Sequence, residues 1–162
     1  MSAVSVSRYG MAIFWGGLTA GILDIGDALI FFGARGVHPI RLLQSIAAGL
    51  MGPRAFQGGW ATALAGLGLH FLIAFCAAAV FCAASRASIL CRHPVPSGLL
   101  YGALIYLVMN FVVLPLAGLG WPKPSVPVLL NGVLAVMFLV GLPIAVITCR
   151  IGAALTGRRR KS

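Results

Sequence analysis

Short polar segments divide the chain into four long apolar runs. Each run reaches the length of about 20 residues that a helix needs to cross a bilayer at a rise of about 1.5 Å per residue. Short connections join the last three runs, so neighbouring helices are expected to be antiparallel and adjacent. The pattern predicts an all-α integral membrane four-helix bundle that forms one transmembrane domain, residues 1–162. The four runs cover about 10–32, 59–84, 98–119 and 126–149.

The first connection differs from the others because it contains a helical pattern of its own. This segment, residues 39–51, begins with Pro39, which suits a first helical turn, and is followed by Gly52-Pro53, which ends a helix. A helix of this length measures about 20 Å, which is short for a span. We expect an interfacial helix packed on the bundle, with a re-entrant helix as the alternative. Its polar residues lie to one side, at Arg41, Gln44 and Ser45.

The composition supports the membrane class. The chain has 162 residues, of which 60% are hydrophobic and 9% charged, with a mean hydropathy of +1.04, whereas soluble domains carry roughly a quarter charged residues. The net charge of +10 comes from basic residues scattered between the apolar runs, apart from one cluster in the tail, residues 150–162. This distribution argues against nucleic-acid binding and predicts that the basic tail contacts anionic lipids.

The basic residues also predict an orientation. The side opposite the termini carries Arg35, Arg41, Arg54 and Lys123. Because the termini side has more basic residues, both termini are expected in the cytoplasm. Cys91 and Cys149 fall at that side, where thiols normally stay reduced. The basic residues on the termini side are Arg8, Arg86, Arg92, Arg150, Arg158, Arg159, Arg160 and Lys161.

The two acidic residues of the chain, Asp24 and Asp27, both lie inside the first run. A charged aspartate at the bilayer centre costs about 2.5 to 3.5 kcal/mol on insertion scales, so the fold must offset that cost. Asp24 follows Gly17 and Gly21 at helical spacing, which is typical of a close-packing helix face. The two carboxyls are therefore expected to face protein.

Polar residues of the other runs lie at a similar depth. His70, Asn110 and Asn131 each belong to a different helix, and small residues share the helix face with His70 and Asn110. We therefore predict a ligand or proton site between the helices, with His70 across the bundle, or Arg41 or Arg54 of the first connection, as charge partner of the aspartates. The predicted site residues are Asp24, Asp27, His70 and Asn110.

Two functions are consistent with this polar layer. The chain is either a small transporter-like or ion- and proton-linked module, assembled as a homodimer because four helices enclose little volume, or an accessory or assembly subunit of a larger membrane complex. In the second case the polar side chains hold the helices together, at about 1 kcal/mol or less each. No catalytic motif or metal-ligand spacing is present, so neither catalytic residues, a metal nor a cofactor is predicted. Haem held by two histidines would need a second subunit.

The order of these segments resembles an uncharacterised family of small bacterial inner-membrane proteins. The resemblance rests on LDIGDALIFFGARGVHPIRLLQSIAAGLMGPRAFQGGWATALAGLGLHFLIAF and YGALIYLVMNFVVLPLAG and covers about residues 15–120. His70 and GLLYGALIYLVMNFVVLPLAGLGWP are more distantly similar to YagU-like inner-membrane proteins. The resemblance implies a multi-pass protein of the bacterial inner (cytoplasmic) membrane, and it supplies no reaction, substrate or site residue.

Overall fold

The computed structural model describes residues 3–85, 89–118, 121 and 123–159, and every regular element among them is helical. Four helices are long and apolar enough to span a membrane. The four runs of the sequence are therefore confirmed as long helices. We name them spans 1 to 4: Ala3–Gly33, Gly59–Ala84, Pro94–Leu116 and 126–159.

Spans 3 and 4 each contain a π-helical turn. In span 3 this turn covers Met109–Val113, between the α-helices Pro94–Val108 and Leu114–Leu116. In span 4 the π-helical turn Val136–Gly141 lies between Val126–Ala135 and Leu142–Arg159.

A proline closely follows each π-helical turn and explains it. Pro115 and Pro143 lack an N–H, and their rings would clash with the carbonyl four residues earlier in a regular helix. Widening the preceding turn relieves this clash. Accordingly, the N–H of Leu114 bonds to the carbonyl of Met109, and that of Leu142 to the carbonyl of Met137, five residues earlier in each case.

Small residues set the packing of the spans. A Cβ added to Gly17 or Gly21 would collide with the phenylalanine rings of span 2, so span 1 packs closely on span 2. Gly98 and Gly102 of span 3 lie against the backbone of Gly141 in span 4. Span 1 also packs on span 4, which gives the lateral order 2, 1, 4, 3. The glycine row predicted for span 1 is thus a packing face.

Spans 2 and 3 are neighbours in sequence but touch mainly through one side chain. The hydroxyl of Tyr101 donates a hydrogen bond to the carbonyl of Ala77 at 2.7 Å, and its ring centroid lies 5.1 Å from that of Phe81. Beyond this contact, the helix that connects spans 1 and 2 lies over the gap between spans 2 and 3. The expectation that spans joined by short loops pack side by side therefore holds well for spans 3 and 4 and weakly for spans 2 and 3.

The segment between spans 1 and 2 forms the helix Pro39–Met51, here called the connecting helix, and a 3₁₀ turn, Gly52–Gln57. Its start and end match the prediction. Pro39 occupies the first turn, and Gly52 ends the helix with φ 62°, which a glycine adopts without strain.

The connecting helix lies across the first turns of span 2. Gln44 is buried and donates from Nε2 to the carbonyl of Gly59 at 3.0 Å and to Oγ1 of Thr62 at 3.3 Å. A Cβ at Gly66 would collide with the carbonyl of Leu43, so the two backbones touch there. Gly66 lies about 10 Å along span 2 from its first residue, at about 1.5 Å per residue.

The structure corrects the expectation for the cysteines. Cys91 and Cys149 form a disulfide, with their Cα atoms 5.3 Å apart. Cys91 lies on a short helix, Ile89–Arg92, directly before span 3. Because spans 3 and 4 approach closely at their glycines, this helix reaches span 4 at Cys149. Arg86, Arg160 and Lys161, which contribute to the predicted orientation and the basic tail, lie outside the described residues.

Candidate functional site

A cavity of about 330 Å³ lies where all four spans and the connecting helix meet. Its walls are mostly aliphatic, and three of the predicted site residues line it: Asp24, His70 and Asn110. Tyr106 adds a fourth polar side chain. We call this space the Asp24 cavity. The sequence therefore located three polar residues that the fold brings to one space.

Asp24 reaches the cavity because of the glycine row in span 1. Gly21 brings span 1 against the ring of Phe71, and Asp24 follows Gly21 by almost one turn. The side chain is half-buried, and its carboxyl makes no hydrogen bond or salt bridge with any residue that the structure describes, although His70 and Asp27 lie close enough to interact with it electrostatically. Burying a charged carboxyl without a hydrogen-bonded partner is costly, so Asp24 is open to a bound cation, a charge on His70 or a proton.

His70 is held by the backbone of span 1. Its Nε2 lies 2.9 Å from the carbonyl oxygen of Gly21. A carbonyl oxygen only accepts, so Nε2 carries a proton and donates it. The imidazole also meets the ring of Phe71 edge to face, with the centroids 5.4 Å apart. His70 therefore links spans 1 and 2.

Asn110 lies in the π-helical turn of span 3. Its Nδ2 donates to the carbonyl of Tyr106 at 2.9 Å, four residues earlier. The amide oxygen accepts no hydrogen bond from the described residues and is available as an acceptor. Because the π turn changes the phase of the helix, it determines which face of span 3 Asn110 occupies.

Asp27 is separated from this cavity and has a partner of its own. Nδ2 of Asn131 in span 4 donates to Oδ2 of Asp27 at 2.8 Å. This bond joins spans 1 and 4, whose residues are 104 positions apart. The two aspartates therefore occupy different environments: Asp27 is bonded to another span, whereas Asp24 opens into a cavity.

A second cavity of about 340 Å³ lies between spans 3 and 4 and the end of span 1. We call it the vestibule. Lys123 and Asn131 line it, and it shares the side chains of Tyr106 and Asn110 with the Asp24 cavity. These two residues therefore lie between the vestibule, beside the exposed Lys123, and the Asp24 cavity.

The structure does not bring the predicted arginine partners to the aspartates. Arg41 and Arg54 are exposed, and the guanidinium of Arg41 lies 5.5 Å from the centroid of the Phe56 ring. No salt bridge to either aspartate occurs within the described part of the chain. The connecting helix does fold over the cavity, but it contributes the aliphatic side chains of Leu42 and Ile46.

Tyr106 and the two π-helical turns were not among the predicted site features. The available signal was a proline within each of two apolar runs, Pro115 and Pro143. Residues of both π turns, including Met109 and Val136, line the Asp24 cavity. Among the described residues no group of three or more His, Cys, Asp or Glu side chains is placed to hold a metal ion.

Known proteins were compared with the chain by sequence and by structure. No protein-family model, curated protein or solved structure matches the chain.

Proposed function

We propose that this chain is a multi-pass membrane protein that binds a small, donor-rich organic cation at Asp24 and passes it through the bundle in a transporter-like manner. The observation that carries the proposal is the Asp24 carboxyl, which lines a cavity of about 330 Å³ and makes no hydrogen bond or salt bridge with a described residue. Acidic side chains inside membrane-spanning helices are functional candidates by default because their burial is expensive. Of the two aspartates in the predicted site, only Asp24 binds the cation in this proposal.

The hydrogen-bonding capacity around Asp24 favours a ligand that donates. Asn110 directs its N–H to the backbone carbonyl of Tyr106, which leaves Oδ1 of the amide as an acceptor. Asp24 adds a carboxylate. Alkylammonium and guanidinium ions present several N–H donors with a positive charge and complement such a site.

The vestibule supplies a route to this site. Tyr106 and Asn110 line both spaces, so rotation of these two side chains would connect the vestibule with the Asp24 cavity. Tyrosine and asparagine rotamers exchange rapidly compared with the movement of whole helices. In this scheme the two side chains form the gate for a cation.

Uptake of radiolabelled guanidinium into proteoliposomes tests the proposal. With an inside-negative potential, the wild type is expected to take up guanidinium, and Asp24→Asn is expected to reduce the rate to that of empty liposomes. Asp24→Asn keeps the shape of the side chain and removes only the charge. Asp27→Asn is the matched control and is expected to transport, because its amide oxygen still accepts from Asn131. Equal uptake by the wild type and Asp24→Asn contradicts the proposal.

One observation favours the second function, an accessory or assembly subunit. The bond between Asp27 and Asn131 is an inter-helix contact of the kind that holds membrane bundles together. Under this hypothesis a stoichiometric membrane partner co-purifies with the wild type, and Asp24→Asn leaves that recovery unchanged. Purification as a stable lone protein that guanidinium stabilises argues against it.

The proposed location is the bacterial inner membrane, with a homodimer or larger complex as the assembly and anionic lipids at the basic tail. Basic residues favour cytoplasmic termini. The disulfide between Cys91 and Cys149 lies on that same face and favours an oxidising compartment. Labelling single cysteines with a membrane-impermeant reagent in intact cells decides between these orientations.

A further inference from the structure

A third space, of about 430 Å³, extends sideways from the Asp24 cavity between the connecting helix, span 2 and span 3. We call it the side groove. It shares four lining residues with the Asp24 cavity: Ile46, Ile73, Met109 and Leu114. The two spaces are therefore contiguous, and aliphatic side chains alone separate them.

The side groove has an apolar lining. Ser45 is its one polar side chain, and the hydroxyl of Ser45 already donates to the carbonyl of Leu42 at 2.6 Å. The groove exists because spans 2 and 3 meet mainly at Tyr101, while the connecting helix covers the gap farther along. In a bilayer this opening faces lipid tails, so an alkyl chain can enter from the side.

We infer that the ligand of the Asp24 cavity is an amphiphilic amine, with its ammonium group at Asp24 and its alkyl chain in the side groove. This inference rests on the proposed function and adds the class of cation. Charge complementarity determines the head group, because the carboxyl of Asp24 makes no salt bridge with a described residue and both predicted arginine partners are exposed. The shared aliphatic wall favours an alkyl tail. An alkyl chain that extends from the Asp24 cavity into the side groove meets no polar atom that needs a hydrogen-bond partner.

Displacement of radiolabelled octylamine from the protein in phosphatidylcholine nanodiscs tests the inference. Empty nanodiscs correct for partitioning into lipid. Unlabelled butylamine, octylamine and dodecylamine are compared with the alcohol and the carboxylic acid of matched chain length. Affinity is expected to rise roughly fourfold for each added methylene group until the groove is filled, since burying one methylene contributes about 0.8 kcal/mol. The amines are expected to bind more tightly than either matched series.

Two variants separate the head site from the tail site. Asp24→Asn is expected to remove the preference for amine over alcohol and to keep the dependence on chain length. Gly49 lines the groove, and a Cβ there meets no atom within 4 Å, so Gly49→Leu is designed to narrow the groove by adding a side chain at an open position of its wall. It is expected to abolish the gain from octylamine to dodecylamine and to leave butylamine unchanged. Gly68→Leu, at an exposed position with equally open surroundings outside the groove, is the control.

The outcomes distinguish the inference from the proposed function. Binding of butylamine that depends on Asp24, with no gain from longer chains, overturns the amphiphile and keeps the cation site. Equal affinity for amines and alcohols in the wild type, or chain-length dependence that survives in Gly49→Leu, also overturns the inference. If no amine binds and guanidinium is not transported, the proposed function fails as well.

Discussion

The hydrogen bond between Asp27 and Asn131 provides the sharpest test of how the bundle is held together. It is a contact of 2.8 Å between spans 1 and 4, and both side chains are half-buried. We consider Asp27→Ala, Asn131→Ala and the double variant as a cycle. The cycle isolates the energy of the pair because each single variant removes the same bond.

The structure indicates a coupling near the upper end of the known range. Inter-helix hydrogen bonds in membrane proteins contribute about 0.6 kcal/mol on average and up to about 1.7 kcal/mol. The short distance favours a strong bond, and a carboxylate acceptor strengthens it further. We therefore expect a coupling of about 1 to 1.7 kcal/mol, which changes the unfolding equilibrium roughly fivefold at the lower value and nearly twentyfold at the upper value.

Reversible unfolding in mixed micelles, followed by tryptophan fluorescence, measures this coupling. Asn131→Ala is expected to cost more than Asp27→Ala, because it leaves a carboxyl half-buried without its donor. Exchanging the two residues, Asp27→Asn with Asn131→Asp, restores a donor and an acceptor and should recover most of the lost stability. If the stability losses of the two single variants add, so that the coupling is below about 0.3 kcal/mol, the hydrogen bond between Asp27 and Asn131 does not hold the two spans together.

Two further predictions concern other contacts of the fold. Dithiothreitol is expected to lower the free energy of unfolding by about 2 to 4 kcal/mol, because it reduces the Cys91–Cys149 disulfide. Cys91→Ser lacks this disulfide and should be insensitive to dithiothreitol. Thermal unfolding of both proteins with and without the reductant checks this, and a wild type that the reductant leaves unchanged contradicts it. Gly66→Leu is expected to cost about 1 to 3 kcal/mol, because the new side chain collides with the carbonyl of Leu43. Limited trypsin digestion should then cut the connecting helix faster than in Gly68→Leu, whose added side chain meets open space, and equal rates in the two variants argue against the contact.

The two aspartates show how a polar residue in an apolar helix acquires its role. They are three residues apart on one helix, so their directions differ by only about 60°, which is one full turn less the winding of about 100° per residue. Span 1 touches both span 2 and span 4, and this angle places Asp24 toward the central cavity and Asp27 toward Asn131. Treating them as one site, as the sequence suggests, overlooks this difference in direction.

Local features of the sequence determined much of the fold. Hydrophobic run length fixed the number of long helices, because a bilayer-length helix needs about 20 apolar residues whatever its neighbours are. Pro39 and Gly52 marked the ends of the connecting helix, because each constrains its own backbone. Gly17 and Gly21 marked a packing face, since a row of small residues permits close approach of another helix.

The remaining features depended on the relative rotation and register of helices that lie far apart in sequence. The pairing of Asp27 with Asn131, the link between Cys91 and Cys149 and the shape of the Asp24 cavity all belong to this group. A π-helical turn adds a residue to the helix repeat and rotates everything after it, so a strict period of 3.6 residues loses phase beyond Met109 and Val136. The sequence thus determined which residues are buried in helices, and the tertiary structure decided which of them meet.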